Sequence, residues 1–131
     1  MAVKLNHIIV YARDKRESAT FLADVLGLPA PTTFEPFVMV EVDNDVTLDF
    51  LDGVGEVASQ HYAFLVTEGD FDVIFARIQE RDVEHWADPG RAEPGTINTR
   101  DGGRGVYFED PSDHLLEILT RPYGSDPSGS G

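Results

Sequence analysis

The sequence contains no cysteine, which excludes disulfides, zinc-thiolate sites, iron–sulfur clusters and a thiol nucleophile belonging to the protein itself. Any metal must therefore sit on nitrogen and oxygen donors. There is no apolar run approaching the roughly 18 residues that span a bilayer, and no apolar h-region near the N-terminus. That pattern predicts a soluble, cytoplasmic protein without a membrane partner. Basic residues are scarce, 10 Lys and Arg against 24 Asp and Glu, for a formal net charge of −14. A surface so negative repels polynucleotides and anionic lipid within a Debye length, so nucleic acid is not expected as a partner. The same charge suits a cationic ligand or plain solubility, and composition does not choose between them. What is present is 131 residues, 41% of them hydrophobic. A chain of this length buries about two-thirds of its unfolded surface and can own one core without staples.

From Leu5 to Tyr11 the residues are mostly β-branched or aromatic, which predicts a strand with His7, Ile9 and Tyr11 on one face. Asp14, with Glu17 three residues on, reads as the N-cap of a helix. Phe21, Leu22, Val25 and Leu26 form its buried stripe and Gly27 ends it. After Pro29 and Pro31, strands are expected at Phe37 to Val42 and Val46 to Leu51, turning at Asp43, Asn44 and Asp45. Thr47, Asp49 and Leu51 share a face of the second. Gly53 to Ser59 has linker composition, and then the pattern begins again. His61 opens a strand, Asp70 can cap a helix, and Phe71, Ile74, Phe75 and Ile78 recur at helical spacing. A loop through Pro89, Gly90, Pro94 and Gly95 leads to two strands, Gly105 to Glu109 and Leu115 to Thr120, around a turn at Asp110 to Asp113. The Ser/Gly/Pro-rich tail, Ser125 to Gly131, is expected to be disordered.

The chain thus reads as strand, helix and strands twice over, in one domain over residues 1–124 with modules at about 1–55 and 58–124. Neither half alone can cover both faces of its sheet, so the halves are expected to pack together. His7 and His61 hold the same place in the two halves, and so do Asp49 and Glu117. A glutamate set among Leu115, Leu116, Ile118 and Leu119 needs a partner, because burying an unpaired carboxylate costs several kcal/mol. His85 and His114 stand in polar or turn contexts and read as surface residues.

The repeated βαβββ plan, His7 in the first strand, HYAF at His61 to Phe64 and YFEDPSDHLLEI from Tyr107 to Ile118 together resemble the vicinal oxygen chelate superfamily. That group takes in glyoxalase I, extradiol dioxygenases, fosfomycin-resistance thiol transferases and bleomycin-binding proteins. The resemblance covers about Leu5 to Arg121. It implies an α+β fold of two βαβββ modules forming a cup-shaped, half-open mixed sheet. It also implies one divalent metal ion on His7, His61 and Glu117, with Asp49 where glyoxalases add a glutamate. Paired chains in this superfamily often complete each other's cup, which implies a homodimer. The second half is most similar to the fosfomycin-resistance transferases, which share HYAF and a tryptophan where Trp86 stands. Ile9 replaces the threonine that those enzymes place after the first histidine, and Arg100, Arg104 and Arg121 are the cationic neighbours left for a substrate.

Two imidazoles and one carboxylate leave coordination positions open, as a catalytic site requires. A substrate with two neighbouring oxygens can fill them and be polarised, or iron(II) can bring oxygen to an electron-rich ring. Zn, Ni, Co, Mn and Fe all suit these donors. Asp49 is open between metal ligand, a base or outer-sphere role, and a solvated side chain. Trp86, Tyr107, Tyr62, Phe37 and Met39 are candidates for the cup lining or for plain core. The glycine-rich DGGRG from Asp101 to Gly105 lacks the strand-to-helix context of a phosphate loop and reads as a rim. Two functions follow as expectations. One is a metal-dependent enzyme of glyoxalase, thiol-transferase or dioxygenase type, with Asp49 and Glu117 as the candidate catalytic acids. The other is a resistance protein that sequesters an aromatic or cationic antibiotic.

Overall fold

The computed structural model describes residues 2–125, so the expectation of a disordered tail falls, from residue 126 onward, outside the described residues. The chain divides into two compact units, Met1–Ala58 with Asp110–Ser112, and Ser59–Glu109 with Asp113–Gly131.

In the first unit the elements run β1 (His7–Ala12), α1 (Lys15–Leu26), β2 (Thr32–Phe34), β3 (Phe37–Glu41) and β4 (Thr47–Asp52). The sheet order is β1-β4-β3-β2, with β1 and β4 parallel and the other pairs antiparallel. Asp14 caps α1 as its spacing predicts, its carboxylate accepting from the Arg16 and Glu17 amides at 3.1 Å. Gly27 closes the helix in the left-handed region, φ 70°, where a Cβ would be strained. Strand alternation sends Val10, Ala12, Val38, Val40, Leu48 and Phe50 to one face, where α1 packs with Leu22, Ala23 and Val25. Each large apolar side chain buried there contributes about 2 kcal/mol. The opposite face carries His7, Ile9 and Tyr11 of β1 beside Thr47, Asp49 and Leu51 of β4, and Ile9 and Tyr11 are exposed. One face of the sheet is core, and on the other exposure varies, 52% at Tyr11 and 8% at Asp49. The β-turn residue Ser112 closes the unit by accepting from the Arg13 amide at 3.0 Å and bonding the buried Ser18 hydroxyl at 2.8 Å.

The second unit repeats the order with β5 (His61–Leu65), α2 (Glu68–Glu80), β6 (His85–Trp86), β7 (Gly105–Glu109) and β8 (Leu115–Leu119). Its sheet runs β5-β8-β7-β6, again with only the first pair parallel. Phe71, Ile74 and Ile78 are the buried stripe of α2. The Arg104 guanidinium covers the Phe71 ring at 4.4 Å while bonding Glu68 and Asp72 at 2.8 and 2.7 Å. Val106, Phe108, Leu116 and Ile118 form the buried side of the sheet. This is an α+β fold of two four-stranded open mixed sheets, each with one helix.

Two sequence expectations are corrected, and two short strands were not expected. The α2 cap is Thr67, whose hydroxyl accepts from the Asp70 amide at 3.1 Å, so Asp70 lies inside the first turn. A Ser/Thr hydroxyl three residues before a free amide satisfies it as well as a carboxylate does. His114 is not at the surface but 1% exposed, its Nδ1 accepting from the Gln60 amide at 3.0 Å. Strands β2 and β6 have three and two residues, too short for any alternation to show in the sequence.

Candidate metal centre

Parallel pairing sets the register of the open faces. In the second unit His61 lies opposite Leu115 and Ala63 opposite Glu117, so histidine and glutamate stand one pleat repeat apart on the same face. In the first unit His7 lies opposite Thr47 and Ile9 opposite Asp49, the same offset with an acid one methylene shorter. The expected equivalence of the two histidine and acid pairs is therefore a matter of identical strand register.

The second unit brings its pair into contact. His61 Nε2 is 3.1 Å from Glu117 Oε1, with the imidazole 44% exposed and Glu117 1% exposed. His61 Nδ1 is 2.9 Å from the Leu115 carbonyl. A carbonyl only accepts, so Nδ1 carries a proton and, in the neutral ring, Nε2 presents its lone pair. A lone pair then faces a carboxylate oxygen. Two acceptors at this distance need a cation between them, a proton or a metal ion. The fixed Nδ1 tautomer is the arrangement by which backbone carbonyls orient metal-binding histidines. The donor set and its orientation thus fit a divalent ion.

Tyr107 and Tyr123 complete the surroundings of Glu117. The Tyr123 hydroxyl donates to the carboxylate, 2.6 Å from both Oε1 and Oε2. It lies 2.7 Å from the Tyr107 hydroxyl, which accepts from Arg100 Nη1 at 3.1 Å. Withdrawal from water, then the bond to Glu117, pushes the Tyr123 phenol well above the usual tyrosine range, so it stays a donor. Tyr107 is buried, stands opposite Glu117 on β7, and stacks on the His61 ring at 5.8 Å between centroids. Nothing in the sequence pattern singles out Tyr123, because it lies beyond the last strand in an irregular stretch.

The remaining expected site residues separate. Trp86 is buried opposite Tyr107 in the sheet, with Arg91 over its ring at 5.4 Å. Arg104 is engaged by α2, and Arg121 donates to the Ser125 carbonyl at 2.9 Å. In the first unit His7 is exposed, its Nδ1 2.7 Å from Asn6 Oδ1. Asp49 is 8% exposed, and its Oδ1 meets no hydrogen-bond partner among the described residues. An orphaned buried carboxylate oxygen is a costly feature that a bound cation would offset. Among the described residues, no three histidine or acidic side chains gather into one metal-sized group.

The family model for the Glyoxalase/Bleomycin resistance protein/Dioxygenase superfamily matches residues 4–118. The chain belongs to this superfamily. A solved structure named Oxidase ChaP-H2 is 60% identical, covers 96% of this chain and 99% of its own, and superposes with a TM-score of 0.94. Oxidase ChaP-H1 is 64% identical over 95% of this chain and 100% of its own, TM-score 0.92. The glutathione transferase FosA of Serratia marcescens is 28% identical over 124 residues, 90% of this chain and 81% of that protein. The superfamily's plan of two open sheets, each backed by a helix, is the fold described above.

Proposed function

We propose that this superfamily member is a divalent-metal-dependent oxidase acting on a small organic molecule that presents two neighbouring oxygens, with dioxygen as the electron acceptor. The observation that carries the metal reading is the 3.1 Å approach of His61 Nε2 to the buried Glu117 carboxylate, with Nδ1 turned to the Leu115 carbonyl. The oxidase reading draws its support from two relatives of that name at 60% and 64% identity.

In this reading His61 and Glu117 hold the ion, and the resemblance that implies His7 as a third ligand is tested by metal titration of His7→Ala. Such an ion, when bound, supplies Lewis-acid polarisation and, if redox-active, a site for dioxygen. The Leu115 carbonyl keeps the His61 ring turned for ligation. The buried Glu117 contributes negative charge where little water competes for it. Tyr107 forms a wall beside the imidazole. Arg100, bonded to the Tyr107 hydroxyl, places a cation where an anionic substrate oxygen can be oriented. The protein acts as a homodimer, which light scattering of the purified protein checks.

Oxygen uptake by protein loaded with Fe, Mn, Co, Ni or Zn tests the reaction, using catechols as substrates. Metal-dependent uptake, lost with chelator and in His61→Ala, is expected. Turnover of methylglyoxal hemithioacetal or of an epoxide with glutathione, without oxygen uptake, would replace the oxidase with a glyoxalase or transferase. Tight binding of a cationic aromatic drug with no turnover would replace it with sequestration.

A further inference from the structure

Tyr123 holds a position that the proposed chemistry does not use. Its hydroxyl is equidistant from the two Glu117 oxygens, 2.6 Å from each. That places it in the notch between them, which an ion chelated by both oxygens would occupy. A metal–carboxylate oxygen bond is about 2.0–2.2 Å long, so phenol and ion cannot share the notch. The hydrogen-bond chain has one direction. Arg100 can only donate and the carboxylate can only accept, so Tyr107 accepts from Arg100 and donates to Tyr123, which donates to Glu117.

We propose that Tyr123 is a displaceable latch on Glu117, holding the carboxylate while no ion is bound and leaving the notch when one binds. This rests on Glu117 being a metal ligand that chelates through both oxygens. A carboxylate 1% exposed needs a partner at all times, and the phenol provides one for the metal-free protein. Tyr123 is 58% exposed and follows the last strand, β8. Around it the segment is held by a few bonds at its margin, Gly124 amide to Asp101 at 3.1 Å and Arg121 to Ser125, and Gly124 itself has φ 71°. Ion binding and release of residues 120–125 are then two sides of one equilibrium, and each must oppose the other's reverse.

Tyr123→Phe removes one oxygen atom and is the test. Titration calorimetry with Mn2+ and Zn2+ on the full chain should show binding tightened by about tenfold, the factor expected when a competing charge-assisted hydrogen bond is removed from a partly exposed site. In chelator the variant should melt below the wild type, and saturating ion should erase that gap. In the wild type, ion addition should speed amide exchange in residues 120–125. Unchanged or weaker ion binding by Tyr123→Phe overturns the latch, since a phenol that orients Glu117 in the loaded site would have that effect. If neither protein binds an ion, the metal reading falls and the latch with it. If the wild type binds and its 120–125 amides do not respond, the latch alone falls.

Discussion

His61→Ala separates stability from metal binding, and the structure sets the size of both effects. The imidazole is 44% exposed, bonds the Leu115 carbonyl and Glu117, and stacks on Tyr107. Removing it does not orphan Glu117, because Tyr123 still donates to both carboxylate oxygens. The lost pair to Glu117 is partly screened by water on the histidine side, so it is discounted towards the surface value, and the total cost is about 1 kcal/mol. For a domain of this size that is a fall in Tm of about 3–6 °C. In the proposed function, metal binding depends on the same ring for a direct bond. Changes to groups that merely orient a ligand weaken binding by about 10–100-fold, and loss of the ligand itself should exceed the upper figure. The assay is a thermal melt in chelator beside calorimetric titration with Zn2+ and Mn2+. A His61→Ala protein that binds either ion within a few-fold of wild type would refute the assignment of Nε2 as a ligand. One that fails to fold would refute the claim that Tyr123 suffices for Glu117.

Asp49→Val should stabilise the chelated protein by about 1–3 kcal/mol in urea, because it removes a buried carboxylate whose Oδ1 has no partner among the described residues. A loss of stability would mean that Asp49 is held by interactions of its own. Thr67→Ala should cost about 1 kcal/mol by the same measurement, the ordinary worth of an N-cap, and Thr67→Ser should restore it. Asp88 accepts from the Ala92 and Glu93 amides at 2.9 and 2.8 Å, and the Ala92 bond, more than any other cause, holds its carboxyl below the usual aspartate range. A depressed folded-state value gives stability that is present above the unfolded value and lost as pH falls through the folded one. The 88–93 loop should accordingly open only in acid below the normal aspartate range, seen as faster exchange of the Ala92 and Glu93 amides, and Asp88→Asn should flatten that dependence.

The elements legible from sequence were those with enough residues to display a period. The helix stripe of α2, the Asp14 cap and the Gly27 stop all stand where spacing put them. Glu117 was legible because a lone acid among leucines and isoleucines needs a reason. Strands β2 and β6 were not, since two or three residues define no alternation and are held by pairing to β3 and β7. His114 was misread because its neighbours are turn residues, whereas its burial comes from a backbone partner 54 positions away at Gln60. Tyr123 was invisible for a similar reason. Its role comes from where an irregular segment crosses β8, which no local pattern encodes.

The matched register of the two sheets bears on how such a protein can change its reaction over time. Carrying an acid on the same rung twice leaves one of them in reserve. Glu117, in contact with a histidine and a tyrosine, is bound by those neighbours to keep its length. Asp49, whose Oδ1 has no hydrogen-bond partner among the described residues, is under no such constraint. Substitutions on that rung can therefore change charge and reach on its face of the first sheet while the strands and the helices stay as they are.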